Sequence, residues 1–147
     1  MPDDADMTAT LPIPPLETAT DPVRSPADIG QRWRALMGPL AFASPLLQFV
    51  FVGPDRCLVT VLTEVEVDPT PDPAYVARLM AIIAELLEDG PPGTTVAFLL
   101  TRPGRDRVSA TDRSWAAVIN EEAAKLGIPV EPFFRANDDA VTEVPPA

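Results

Sequence analysis

The feature that most constrains this fold is a run of five apolar residues, Val96–Leu100, that ends in a Pro-Gly break. An apolar run without alternation is typical of a strand buried on both faces, as in the central strands of α/β proteins. The chain then passes three charged residues at 105–107 and reaches Ser109, where a helix is predicted to begin. Crossovers from a strand to a helix often carry the chemistry of α/β proteins, so Thr94–Asp112 is the first place to look for a site.

Helices and further strands are predicted on both sides of this strand. Capping residues, proline at the first helical position and glycine at the end delimit the first two helices. In chain order, the predicted elements are a helix from Ser25 to Gly38, a hairpin of Leu46–Val52 and Cys57–Val67, a helix over 73–89, the central strand, a helix from Ser109 to Gly127, a strand Val130–Phe134, a polar turn Arg135–Asp139 and an edge strand Val141–Val144. This order predicts a single α/β (α+β) domain with a mixed sheet flanked by helices.

Apolar spacing also predicts which faces are buried. In the helix over 73–89, the predicted core stripe is Val76, Leu79, Met80, Ile83, Leu86 and Leu87, and Ile82 lies off it. On the returning strand of the hairpin, alternation predicts a core face of Val59, Val61, Val65 and Val67, with Glu64 and Glu66 on a partly wet face.

The first 24 residues are predicted to be a disordered acidic tail, since repelling aspartates and repeated prolines oppose regular structure. Within this tail, Leu11–Leu16 could be a polyproline II ligand for a partner, or no more than part of a tail. Residues 25–144 are predicted to form the domain, and residues 145–147 a disordered end.

Composition excludes several classes of function. The net charge of -11, from 11 basic and 22 acidic residues, argues against nucleic acid and anionic membranes as partners. Without histidine, the chain cannot contain Ser-His or Cys-His triads or HExxH zinc sites. The single cysteine, Cys57, is predicted to be a small buried residue rather than a nucleophile. No segment resembles a signal peptide or a bilayer span, so a cytoplasmic location is expected.

The order of elements and several short motifs resemble the JAB/MPN metalloprotease-like fold, especially its RadC-type bacterial branch. The matching pieces, in order, are Ser25-Pro26, the hairpin 46–67, the helix 73–89, Pro103-Gly104, Ser109-x-x-Asp112 and Leu126-Gly127-Ile128, which together span about residues 25–144. The resemblance implies a three-layer fold, like that of cytidine deaminases.

In that family, two histidines and an aspartate hold zinc, a glutamate acts on the metal-bound water and a serine supports the oxyanion. The resemblance retains Ser109 and Asp112 but places Leu100 and Arg102 at the histidine positions, and the glutamate position falls near Pro45. A catalytic zinc needs about three protein ligands plus water, so the resemblance implies a degenerate, metal-free member without a cofactor.

Two interpretations of the crossover remain open. Ser109 and Asp112 also form a good helix start, and capping alone accounts for both residues. The loop nevertheless carries three of the 11 basic residues, Arg102, Arg105 and Arg107. With Ser109 at the helix N-terminus, these arginines are candidates for binding a small anion.

Three functions follow, in order of preference. The first is a non-catalytic protein-interaction module that binds another protein, or itself as a homodimer, through the helices around Trp33 or Trp115. The second is a small-anion or nucleotide-binding module that uses the arginine-rich loop 102–107. The third is a hydrolase in which Glu64, Glu66, Asp106 and Asp112 surround a divalent cation.

Overall fold

A mixed sheet of five strands has helices packed on both of its faces. This computed structural model describes residues 13–59 and 61–145. The elements are a 3-10 helix (Leu16–Thr20), α1 (Pro26–Met37), β1 (Leu46–Val52), β2 (Thr63–Glu66), α2 (Pro73–Glu88), β3 (Thr95–Thr101), α3 (Ala110–Lys125), β4 (Phe134–Ala136) and β5 (Val141–Glu143). The predicted α/β class with a mixed sheet is confirmed.

Side-chain caps begin the helices at the predicted positions. The Ser25 hydroxyl accepts a hydrogen bond from the backbone N–H of Asp28, and proline follows the cap at the first helical position. The Asp72 carboxylate accepts in the same way from the backbone N–H of Ala74. Each cap satisfies a backbone donor that the helix itself leaves free, which fixes where the helix starts.

The strands lie in the order β2-β1-β3-β4-β5, which places β3 at the centre. β1 is antiparallel to both β2 and β3, β3 is parallel to β4, and β4 is antiparallel to β5. All five residues of Val96–Leu100 are buried, as the uninterrupted apolar run predicts. Because β3 and β4 are parallel neighbours joined through α3, the loops that follow them meet at the same end of the sheet, beyond the carboxyl ends of these strands.

Alternation along β3 divides the core into two layers. Phe98 and Leu100 point to the face covered by α2 and α3, and Ala97 and Leu99 point to the face covered by α1. The sheet is therefore the middle of three layers, and its two faces bury separate apolar clusters.

Both tryptophans belong to this core. Trp33 anchors α1 and Trp115 anchors α3, and each is only 1% exposed. The Trp115 indole N–H donates to the carbonyl of Pro69 at 2.9 Å, which satisfies its one polar atom. Contrary to the prediction, the indoles themselves are not an interaction surface, since they fasten the helices to the sheet. Binding through other residues of these helices stays a prediction.

Order begins earlier in the chain than predicted. The 3-10 helix Leu16–Thr20 and the extended residues after it lie within the expected tail, yet Ala19 and Val23 are buried. The Val23 amide also donates to the carbonyl of Arg56 at 2.7 Å. Residues 13–24 thus include part of the domain. Of the Leu11–Leu16 segment, Leu11 and Pro12 fall outside the described residues, as do residues 1–10 and 146–147.

The strand predicted at Val130–Phe134 is displaced toward the carboxyl end of the chain. Val130 makes only an isolated bridge to Val96, and β4 comprises Phe134–Ala136. Arg135 thus lies in a buried strand and not in the predicted polar turn. Its charge can be buried there because it has a buried partner from another element. The edge strand predicted over Val141–Val144 is present as β5.

Two smaller predictions are also corrected. The predicted core stripe of α2 includes Leu86, but this residue lies near the end of the helix and is 49% exposed. Cys57 was predicted to be buried; it is half-buried in the turn after β1, where its amide donates to an Asp55 carboxylate oxygen at 3.1 Å.

Candidate functional site

The crossover after β3 is organised by one arginine that binds two aspartates. Arg102 Nε and Nη2 donate to the two carboxylate oxygens of Asp112, both at 2.8 Å. Arg102 Nη1 and Nη2 donate to the two oxygens of Asp106 at 2.9 and 3.0 Å. Both contacts are bidentate, the geometry in which a guanidinium binds a carboxylate most strongly. Together they raise the pKa of Arg102, with the hydrogen bonds to Asp112 as the larger cause.

Asp112 is the buried centre of this cluster, with no exposed side-chain surface. Its Oδ2 accepts from the Ser109 backbone N–H at 2.9 Å, and the Ser109 hydroxyl accepts from the Asp112 backbone N–H at 3.1 Å. These reciprocal bonds form a capping box at the start of α3. Burial opposes ionisation of the Asp112 carboxyl, but the hydrogen bonds from Arg102 and Ser109 outweigh it, so the pKa of Asp112 lies below its ordinary value.

A second arginine reaches the same carboxylate from β4. The Arg135 side chain is 2% exposed, and its Nη1 lies 3.4 Å from Asp112 Oδ2. The other bonds of its guanidinium go to the Asp106 carbonyl at 3.2 Å and the Thr142 hydroxyl at 3.3 Å. Arg135 Nε has no hydrogen-bond partner among the residues that the structure describes. Arg135 pairs in register with Leu100, which brings it to the face of the sheet that α3 covers.

The loop itself is tied to its surroundings by backbone hydrogen bonds. The Asp138 carboxylate accepts from the N–H of Gly104 and from the N–H of Phe42, each at 3.0 Å. These bonds lower the pKa of Asp138, the Gly104 bond most strongly. The Asn137 side-chain amide donates to the Asp106 carbonyl at 2.9 Å. Segments before β1, after β3 and after β4 are thus joined at one end of the sheet.

The structure does not assemble the four candidate anion-binding residues into an open site. Arg102 is engaged by Asp106 and Asp112, and Ser109 serves as the cap of α3. Arg105 is exposed and lies 3.7 Å from an oxygen of Asp139. Arg107 is exposed. At the N-terminus of α3, the place expected for a ligand anion is taken by the Asp112 carboxylate.

The positions carried over from the JAB/MPN resemblance do not suit zinc. Arg102, Ser109 and Asp112 converge, but Leu100 packs in the apolar core on the same face of β3. One aspartate already paired with two guanidinium groups, beside a leucine, cannot supply the three ligands that a catalytic zinc requires.

The carboxylates proposed for a divalent cation are also dispersed. Glu64 and Glu66 are exposed on the edge strand β2, whereas Asp106 and Asp112 are bound to Arg102 at the crossover. Across residues 13–59 and 61–145, no group of three or more His, Cys, Asp or Glu side chains is arranged to hold a metal ion.

A different kind of site lies at the opposite end of β3. There the turn after β1 faces the end of α2 across an open groove of about 500 Å³. We call it the β1–α2 groove and define it by the apolar side chains that line it: Phe51, Pro54, Val59, Leu86, Leu87 and Pro91. Asp55 is the charged residue of the lining.

Further exposed aliphatic side chains belong to the two elements that border the groove. Eight large apolar residues are exposed in the described part of the chain, and five of them lie on the segment after β1 or on α2. Val59 and Leu86 line the groove itself, Val61 and Leu62 follow Val59, and Ile82 lies one turn before Leu86 on the same helix face. Large exposed apolar patches often mark interaction sites on soluble proteins, so the groove and the residues near it in the chain are a candidate binding surface.

An interruption of the hairpin accounts for the exposure of Val59 and Val61. β1 has two residues between the pairs Phe49–Thr63 and Val52–Leu58, whereas the returning segment has four. Two additional residues break the ladder, as in a bulge, so the alternation that would place Val59 and Val61 in the core does not continue. The prediction for these two residues is wrong, while Val65 and Val67 pack against the core as predicted.

The groove is also flanked by uncompensated negative charge. The last turn and cap of α2 carry three exposed acids, Glu85, Glu88 and Asp89. That turn contains no basic residue, whereas α1 has Arg34 and α3 has Lys125 at the corresponding place. Carbonyl groups give the C-terminal end of a helix a partial negative charge, so these acids lie where negative charge is least favourable.

No protein-family model matches this chain, and no curated protein matches it. Within the described residues, no helix combines the length and the apolarity that crossing a bilayer requires.

Proposed function

We propose that this chain is a non-catalytic protein-interaction module whose binding surface is the β1–α2 groove. The observation that carries the proposal is the clustering of exposed aliphatic side chains around a concave surface. Leaving these side chains in water is unfavourable, and burying them against a partner would recover roughly 25 cal/mol for each Å² of apolar area.

The crossover supports the same proposal by what its residues already do. Arg102, Asp112 and Ser109 bind one another, so these groups are engaged without a substrate. The proposal includes descent from a JAB/MPN-like protease in which the metal-binding positions became Leu100 and Arg102. In this account the former catalytic crossover became a structural clamp, and binding takes place at the other end of the sheet.

Site-specific photo-crosslinking in the organism that produces the protein tests this proposal. A photoreactive phenylalanine analogue at Leu86 is expected to give a discrete adduct, whereas the same analogue at Leu126 is not. Leu126 is a matched control because it is 50% exposed near the end of a helix but does not line the groove. Equal adducts at both positions, or none at Leu86, would contradict a binding role for the groove.

Thermal denaturation with added anions addresses the competing function. A ligand that binds the folded state raises the melting temperature by mass action. With phosphate, nucleotides or carboxylates, the proposal expects no increase, since Arg102 and the start of α3 already bind aspartates. A concentration-dependent increase that the Arg105→Gln substitution abolishes would favour the anion-binding function instead.

A further inference from the structure

We infer that the partner segment seated in the β1–α2 groove carries an apolar anchor side chain next to lysine or arginine. This inference rests on the proposed function and specifies the chemistry of the partner. Its basis is the apolar lining together with a negatively charged rim, which we define as Asp55 and the three acids at the end of α2, Glu85, Glu88 and Asp89.

The apolar part of the recognition follows from the lining. Phe51, Val59 and Leu86 present hydrocarbon surface, and both prolines of the lining add to it without a side-chain donor or acceptor. A polar partner side chain placed there would lose water without gaining a hydrogen bond from these groups. An aliphatic or aromatic anchor is therefore the side chain that the groove accepts at least cost.

The basic part follows from the rim. Asp55 lies in the lining itself, and Glu85, Glu88 and Asp89 surround the end of α2. The one arginine of the adjoining turn, Arg56, is bound to Glu131 by two hydrogen bonds of 2.8 and 3.1 Å. No basic side chain belongs to the lining. A lysine or arginine of the partner would meet the acids and the negative helix end together, which favours association.

The same charges disfavour a second copy of this chain as the occupant. With a net charge of -11, two copies repel each other at moderate salt. A symmetric dimer across the groove would also place the acids of one α2 close to those of the other. The groove thus fits a heterologous basic segment better than self-association.

Selection from a phage-displayed library of random 12-residue peptides tests this inference on the full chain. We expect enriched peptides to combine an aliphatic or aromatic residue with lysine or arginine within about one helical turn. The Leu86→Gln substitution is expected to weaken their binding at least tenfold, as at a buried apolar anchor. The Leu126→Gln protein is expected to bind them as the wild type does.

Charge reversal at the rim separates the two parts of the inference. Glu88→Lys is expected to weaken the same peptides several-fold at low salt, with a smaller difference at 0.5 M salt, where rim charges are screened. A circular dichroism spectrum and melting curve for each variant would establish that the loss of binding does not reflect unfolding.

The possible failures of this test have different meanings. Enriched peptides that require Leu86 but lack basic residues would overturn the inference and leave the groove as the binding surface. A dimer in sedimentation that Leu86→Gln dissociates would have the same meaning. If neither a peptide nor a dimer depends on Leu86, both the inference and the proposed function fail.

Discussion

The crossover and the β1–α2 groove lie at opposite ends of β3 and differ in how their side chains are satisfied. At the crossover, two arginines and two aspartates form a partly buried network of hydrogen bonds and ion pairs. At the groove, apolar side chains face solvent and acids cluster without cations. Internal partners make the first region important for stability, whereas the exposed aliphatic side chains of the second remain available for binding.

This contrast means that substitutions at the two ends should act on different properties. Changes at the crossover should lower the free energy of unfolding, because a removed partner leaves a buried charge uncompensated. Changes at the groove should alter stability little and binding strongly.

Replacing Asp112 should produce the largest loss of stability. Asp112→Asn removes the negative charge between Arg102 and Arg135, and breaking a buried pair in this way costs about 3–5 kcal/mol. Urea-induced unfolding followed by circular dichroism measures the change. The control Asp139→Asn alters an exposed residue with a longer contact and should change the free energy of unfolding by less than about 0.5 kcal/mol. Equal effects would show that the crossover is not a clamp.

Acid should weaken the clamp in the unsubstituted protein. The pKa of Asp112 is lower in the folded state than the ordinary value of about 3.9, so its contribution is fully present above that value. This contribution to stability is lost as the pH falls below the ordinary value and through the lower pKa that Asp112 has in the folded state. We expect the free energy of unfolding to decline below about pH 4, and to decline less steeply in Asp112→Asn. Parallel pH profiles for the two proteins would contradict the claim that ionised Asp112 stabilises the fold.

Removing the carboxylate that ties the loop should have an intermediate effect. Asp138→Ala leaves the backbone N–H groups of Gly104 and Phe42 without their acceptor, which should lower the free energy of unfolding by less than Asp112→Asn does. Hydrogen exchange should accelerate at both amides. Unchanged exchange there would mean that Asp138 does not hold the loop.

Substitution within the groove should change stability less. Leu86 is half exposed, so Leu86→Gln forfeits at most about 1 kcal/mol of apolar burial. Glutamine is also a good helix former, which keeps α2 intact. Urea unfolding of Leu86→Gln beside Leu126→Gln measures the difference between the two exposed leucines. A loss comparable to that of Asp112→Asn would show that the groove belongs to the core.

Charge reversal at the end of α2 should give the smallest effect, with the opposite sign. Glu88→Lys places a cation at the negative end of the helix and should stabilise the fold by about 0.3–1 kcal/mol. A differential scanning calorimetry comparison in low salt detects the shift. If the same variant also loses peptide affinity, the acid at this position favours binding at the expense of stability. A lower melting temperature would contradict the claim that the acids at the C-terminal end of α2 destabilise the helix.

Local signals in the sequence were sufficient to predict the helix starts and the central strand. Ser25, Asp72 and Ser109 cap their helices through contacts within four residues, so the information lies in adjacent residues. The apolar run of β3 likewise carries its own burial signal. The order of elements followed from these signals.

What the sequence could not indicate depends on contacts between distant residues. Arg135 is buried because Asp112, 23 residues earlier in the chain, comes beside it, and nothing near Arg135 announces that partner. The break in the hairpin depends on the register between β1 and β2, which the alternating pattern of Val59–Val67 conceals. The groove was missed for the same reason, although exposed Ile82 off the helix stripe was a partial signal.

The most direct test of the central claim is an amide ¹H–¹⁵N spectrum of the full chain titrated with the tightest selected peptide. We expect chemical-shift changes around Phe51, Val59 and Leu86–Gly90, with little change over 102–112. Shifts that cluster at 102–112, with the groove unaffected, would contradict it, because the crossover would then be the binding surface.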